Sequence, residues 1–129
     1  MAIVSFRAAT AITAGQPVTV ASGGTIYPSS AANAVNARCI GIALDTVVAG
    51  DLTRVDKDKI QYIFTGQTAG SVPYLSITSG TIQPTYTAFQ TEVNASALST
   101  VHCVTLGRAV SSSGINIEVS RPSLVYTPV

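Results

Sequence analysis

The sequence predicts an all-β fold, a small sandwich or barrel with short helical or loop insertions, and three observations predict it. Short apolar and β-branched runs, each bounded by Gly, Pro, Ser or Asp, recur along the chain at the spacing of successive strands. The polar residues are mainly Ser and Thr, which suit exposed strand faces and turns better than helix surfaces. The same order of parts also occurs twice. At 129 residues the chain fits one domain, able to bury roughly two-thirds of the surface its unfolded form exposes.

Taken in order, strands are expected near residues 17–21, 25–28, 38–44, 52–55, 60–65, 72–77, 81–84, 101–110 and 115–119. The tight turns Ser22-Gly23-Gly24 and Ser79-Gly80 have glycine where a hairpin needs φ > 0. Asp56-Lys57-Asp58-Lys59 lies between two strand candidates and reads as a solvated hairpin tip carrying four charges. Residues 30–37 and 87–99 are Ala-rich and break the strand pattern. In the second, Phe89, Val93 and Ala97 fall four apart, the spacing of one helical face, so a short helix or an ordered loop fits either segment.

The doubling is seen when residues 17–28, PVTVASGGTIYP, are laid under 73–84, PYLSITSGTIQP: the first Pro, the Gly-Thr-Ile and the last Pro coincide. Each block is followed by a less regular stretch and then an apolar strand with one glycine, around Gly41 and Gly107. The turns Ala49-Gly50 and Ser113-Gly114 then lead into further strands. An ordered series of matches indicates a duplicated hairpin-plus-strand unit, here residues 14–65 and 66–119, flanked by an N-terminal arm (1–13) and a C-terminal tail (120–129). Neither unit can bury its apolar face alone, so the two must pack together. Gly23, Gly24 and Gly80 are read as turn positions, Gly41 and Gly107 as a bulge or a close backbone approach.

Only 10% of residues are charged, against roughly a quarter in an average soluble domain. Such a surface is suited to being covered by protein, either copies of the chain or another partner. Seven basic against six acidic residues give a net charge of +1 with no basic cluster, which argues against nucleic acid. No apolar run approaches the ~20 residues of a membrane span, and residues 39–50 are interrupted by Asp45. The first 15 residues lack the charged start and apolar centre of an export signal, so synthesis in the cytoplasm is expected.

Candidate chemistry is sparse. His102 is the single histidine and adjoins Cys103 in a strand, where neighbours point to opposite faces, so it reads as an ordinary strand residue. Cys39 and Cys103 occupy comparable places in the two units and are expected to be free, buried thiols. Asp45, Asp51, Asp56 and Asp58 lack the spacing of a calcium loop. Gly23-Gly24 has no lysine and opens no helix, which removes a phosphate cradle. The five Tyr read mostly as half-buried strand residues, and without Trp they form no obvious platform for sugars or bases. No catalytic, cofactor or metal residue is assigned. The two ends carry the contact candidates instead: Ala2, Ile3, Val4, Phe6 and Arg7 in the arm, and Arg121, Leu124, Val125 and Tyr126 in the tail, where two prolines suit an extended segment.

The order Ala14-Gly15-Gln16-Pro17-Val18, Gly24-Thr25-Ile26, Cys39-Ile40-Gly41-Ile42-Ala43-Leu44 and Ala49-Gly50-Asp51 resembles the small capsid decoration, or cement, proteins of tailed bacteriophages. The likeness covers most of residues 14–64, and Leu106-Gly107-Arg108-Ala109-Val110 looks like a second copy of its central motif. The resemblance implies a noncatalytic, β-rich homotrimer on the exterior of a virion capsid, clamping neighbouring major capsid subunits, with the N-terminal arm helping to grip. Removing residues 1–13 is then expected to leave the fold intact and reduce capsid occupancy. The clear duplication and the 87–99 insert depart from the family pattern. The rival readings are another virion part, such as a head-fibre base or tail component, and a small carbohydrate- or peptide-binding module with a concave face.

Overall fold

The computed structural model describes residues 3–98 and 100–121, and the main chain of 124–126. In chain order these form β1 (Ile3–Arg7), β2 (Pro17–Val20), β3 (Ile26–Pro28), β4 (Cys39–Ala43), β5 (Leu52–Asp56), β6 (Ile60–Gln61), β7 (Tyr74–Leu75), β8 (Ile82–Gln83), α1 (Tyr86–Asn94), β9 (Val101–Cys103), β10 (Gly107–Ala109), β11 (Ile115–Ile117) and β12 (Leu124–Tyr126). The fold is all-β with one short helix, and the strand pairs within its sheets are antiparallel.

The largest sheet has the order β1-β5-β4-β2-β3. Its two edges meet: Ala8, just past β1, forms a parallel bridge with Ile26 of β3, and the Ala9 amide donates to the Ile26 carbonyl at 2.8 Å. The sheet thus curls into a small barrel. Its interior holds Ala8, Ile12, Val18, Ile26, Ala43 and Val55, and Ile12 plugs one end by exchanging both main-chain hydrogen bonds with Val47. Described residues 3–13 are therefore no free arm. Phe6 and Ala8, either side of the exposed Arg7, turn to the core as alternate residues of a strand do, and the segment closes the barrel.

β4 is buried on both faces, which explains its nearly unbroken apolar sequence. Ala43 faces the barrel interior, while Ile42 meets Phe64, Ile115 and Ile117 from the second half of the chain. Between the pairs Val18–Gly41 and Thr19–Cys39 the register shifts, leaving Ile40 as the extra residue of a bulge. The shift reverses the alternation beyond it, so Ile40 and Ala43, three apart, both pack on the barrel cluster. At Gly41 the strands lie too close for a side chain: a Cβ would stand 2.5 Å from the Asp56 carbonyl oxygen and 2.8 Å from Val55 Cγ1. Gly107, with φ +129°, is tighter still, since a Cβ would come within 2.0 Å of the Asn116 carbonyl. Both glycines sit against the strand that follows them, β5 in one half and β11 in the other.

Pairing in the second half runs in the same order as in the first. The β7–β8 hairpin lies beside residues 104–106, with Leu75 N donating to Val104 O at 2.9 Å and Leu106 N to Pro73 O at 3.0 Å, and β10 then pairs with β11. The strand expected over 101–110 is accordingly broken, because the chain changes partner: β9 pairs with β12, Thr105 bridges Tyr74, and β10 joins β11 and β6. α1 begins at the N-cap Thr85, whose Oγ1 accepts from the Ala88 amide. It buries Phe89 and Val93 in the cluster of Leu75, Val101, Val104 and Leu106, whereas Ala97 falls beyond its end and is exposed. Glu92 fastens the helix to the neighbouring hairpin by accepting from Ser76 Oγ (2.5 Å), Ile77 N (3.1 Å) and Gln83 Nε2 (3.0 Å). Residues 30–37 form a series of turns fixed by Asn36, whose carbonyl accepts from Ser30 N and Thr19 Oγ1 and whose side chain accepts from Tyr27 OH. Of the turn glycines, Gly24 (φ +87°) and Gly80 (φ +74°) use the left-handed region; Gly23 does not.

Two expectations fail at residues 56–65. Residues 56–59 are no hairpin tip, since β5 belongs to the barrel and β6 pairs with β11, so this turn carries the chain from one sheet to the other. Nor is Asp56 solvated. Its side chain is fully buried, with Oδ1 accepting from the Asp58 and Lys59 amides (3.1 Å each) and Oδ2 from Gln61 Nε2 (2.6 Å). β6 then stops at Gln61, and Phe64 is held instead by its amide donating to Ser113 O.

Asp56→Ala leaves the Asp58 and Lys59 amides and Gln61 Nε2 without their acceptor, and is expected to cost about 2 kcal/mol in chemical denaturation; an unchanged midpoint would show that the turn holds itself. Deleting residues 1–13 is expected to abolish the cooperative thermal transition, because it opens the barrel and removes Ala8 and Ile12 from its core. A truncated chain that melts like the full one would show that closure is dispensable.

Candidate functional site

The chemistry-bearing side chains do not converge. Among the described residues no group of three or more His, Cys, Asp or Glu side chains is placed to hold a metal ion. His102 and Cys103 are adjacent on β9 and point to opposite faces. The His102 amide donates to Ala31 O, and its Nδ1 is enclosed with no hydrogen-bond partner among the described residues. Cys39 and Cys103 are free thiols, each in a residue that keeps some exposed surface. Burial pushes the Cys39 thiol up to about 11, against smaller opposing effects from the Gly41 main chain and the Ser29 hydroxyl. Burial also raises Cys103, and it raises Tyr74, which stacks on Phe89 at 5.5 Å and lies close to Cys103 and Tyr86. Such shifts hold these groups in their neutral, unreactive forms near pH 7. Asp45 is engaged structurally, clasping Arg54 through both carboxyl oxygens (2.9 and 3.1 Å) and accepting from the Arg54 amide. The Arg54 guanidinium and amide beside it hold its carboxyl below the usual range.

The contact residues expected at the chain ends are mostly tied into sheets. Ile3, Val4, Phe6 and Arg7 all lie in β1, paired with β5; Phe6 packs on the barrel core and the Arg7 guanidinium donates to the Gly50 carbonyl. Val4 keeps an exposed side chain, and Arg121 is exposed. Leu124, Val125 and Tyr126 lie in β12 by their main chain, while their side chains, like Ala2, fall outside the described residues.

The apolar surface lies elsewhere. Ile60, Tyr62, Ile63 and Val110 are exposed, and Tyr62, at 64%, is the most exposed large apolar side chain of the described residues. Tyr62 is thus no half-buried strand residue: its ring covers Gly114, where a Cβ would lie 2.6 Å from Cε1 and 2.9 Å from Val110 Cγ2. Cross-strand pairing places Ile60, Asn116 and Arg108 in one row on the outward face of the β10-β11-β6 sheet, with Ala109, Ile115 and Gln61 turned inward. Glu118 continues that outward face beyond β11. Beside it is a hollow of about 400 Å³ bordered by Tyr74, Gly107, Arg108 and Glu118. A second concavity, of about 430 Å³, is lined by Val20, Tyr27, Val35 and Arg38. A single strand over residues 60–65, as the sequence suggests, hides the patch; the signal available is Gly114, whose missing side chain makes room for the Tyr62 ring.

No protein-family model matches the chain, and no curated protein matches it.

Because the folded state holds the Cys39 proton more tightly than the unfolded chain, whose thiol titrates near 9, its contribution to stability is complete below about pH 9 and is lost as pH rises toward 11. At pH 8, alkylation of Cys39 in the native protein is expected to be about a hundredfold slower than in denaturant, the ratio of the two thiolate fractions. Peptide mass spectrometry over a time course measures this, and equal rates would remove the assigned burial.

Proposed function

We propose that this chain is a noncatalytic virion structural protein that binds the outer surface of a phage capsid and stabilises it. The observation that carries the reading is a surface poor in charge and rich in exposed apolar side chains, from Val48 and Leu52 at the barrel end to Tyr62 and Val110 on the second sheet. A solitary soluble domain would set charged groups there. The motifs of residues 14–64 and 106–110 that resemble capsid decoration proteins agree with it, as does a fold whose titratable groups are dispersed or held neutral.

The partners in this reading are the major capsid protein and further copies of the chain, in a homotrimer assembled from cytoplasmically made subunits. Stabilisation comes from area: each Å² of apolar surface removed from water is worth about 25 cal/mol, and contacts repeated around a closed shell act together. With β1 built into the barrel, gripping falls to exposed faces rather than to a free N-terminal arm.

Heads assembled from the major capsid protein of the genome that encodes this chain provide the test. The purified protein is expected to cosediment with them saturably and to raise the temperature at which they come apart. Absence of cosedimentation at saturating protein would overturn the reading.

A further inference from the structure

The outward face of the β10-β11-β6 sheet has no partner among the described residues, although the inward face of the same sheet is packed on Ile42 and Phe64. It carries three large apolar side chains, Ile60, Tyr62 and Val110, together with one cation and one anion, Arg108 and Glu118. The two charges do not pair with each other. Arg108 is turned aside to donate from Nη1 to the Gly70 carbonyl at 2.7 Å, which fixes the guanidinium in place, and the Glu118 carboxylate has no hydrogen-bond or ion-pair partner among the described residues.

A face with an apolar centre and one unpaired charge of each sign is complementary to itself. We propose that a second copy of this chain docks on it, with Tyr62 as the central apolar contact and Arg108 of one copy set against Glu118 of the next. The inference goes beyond the homotrimer of the reading above, because a face complementary to itself joins two copies about a twofold axis and does not close a ring of three. Tyr62 lies over Gly114 at one end of β11, and the hollow of about 400 Å³ lies at the Glu118 end, four residues away, or ~13 Å along the strand. Tyr and Arg are also the side chains that most often dominate such contacts.

A face three strands wide is smaller than the ~800 Å² per partner of a standard interface, so the contact is weak alone and strengthens where copies are held close together. Sedimentation velocity of the full chain is therefore expected to show the mass rising above 13.2 kDa with concentration, and the rise is expected to shrink with salt. Arg108→Glu makes the face wholly acidic and Glu118→Arg makes it wholly basic. Each is expected to stay monomeric alone, and an equimolar mixture is expected to associate. Tyr62→Ser is expected to weaken association at least tenfold, and thermal melts of all three variants establish that they fold. The proposal is overturned if the parent chain is monomeric to about 1 mM, if either charge variant associates like the parent, or if the mixture associates no more than its components. Cosedimentation of the parent chain with heads separates this from the capsid reading: binding by a chain that never self-associates would overturn this interface and leave capsid binding standing.

Discussion

The buried carboxyl of Asp56 is the joint on which the two halves of this protein turn. β5 ends at that residue inside the barrel, and four residues later the chain lies in a different sheet, hydrogen-bonded to a strand from the far end of the sequence. A reversal of that kind leaves main-chain amides with no ladder to receive them, and donors without acceptors are costly. Asp56 receives two of them on one oxygen and the Gln61 amide on the other. Its own main-chain carbonyl passes against Gly41, so one residue sets both the turn and the distance between β4 and β5. Glu92 has the corresponding role in the second half, binding helix to hairpin through three donors.

Around those joints the packing is arranged in three clusters: the barrel interior, the layer between barrel and second sheet, and the helix-covered core of the second half. β4 borders more than one of them. The bulge at Ile40 makes this possible, because a regular strand would send alternate residues to two fixed faces throughout its length, whereas the inserted residue re-aims the side chains on either side of it. Closure by β1 and Ala8 removes the two exposed edges that a five-stranded sheet would otherwise offer to another chain. The barrel therefore offers a partner sheet faces and turns, and the second sheet adds the exposed Ile60, Tyr62 and Val110.

That arrangement bears on the function proposed for the chain. Among the described residues its thiols, histidine and carboxyl groups are spent on packing and turns or stand apart. What the molecule offers a partner is area with few charges. In the role proposed it would act by being repeated, since contacts too weak to hold one copy become effective when many are presented on one surface.

Fold class, the order of parts in the two halves, the helical face of Phe89 and Val93, and the glycines at Gly41 and Gly107 were legible from residue order, because each depends on local periodicity or on the space that one residue needs. The function proposed for the chain rests on composition, short motifs and exposed surface. The Asp56 burial, the break in the 101–110 strand, the use of residues 3–13 to close the barrel, and the exposed Tyr62 patch were not legible. Each depends on which strand a segment pairs with, and a charged turn or an apolar pentapeptide reads the same whether its partner is the next strand or one sixty residues away. By itself the sequence determined that this chain would be an all-β structure poor in charge. Only the tertiary structure decided which residues its surface would show, because burial belongs to the contact between segments and not to either segment alone.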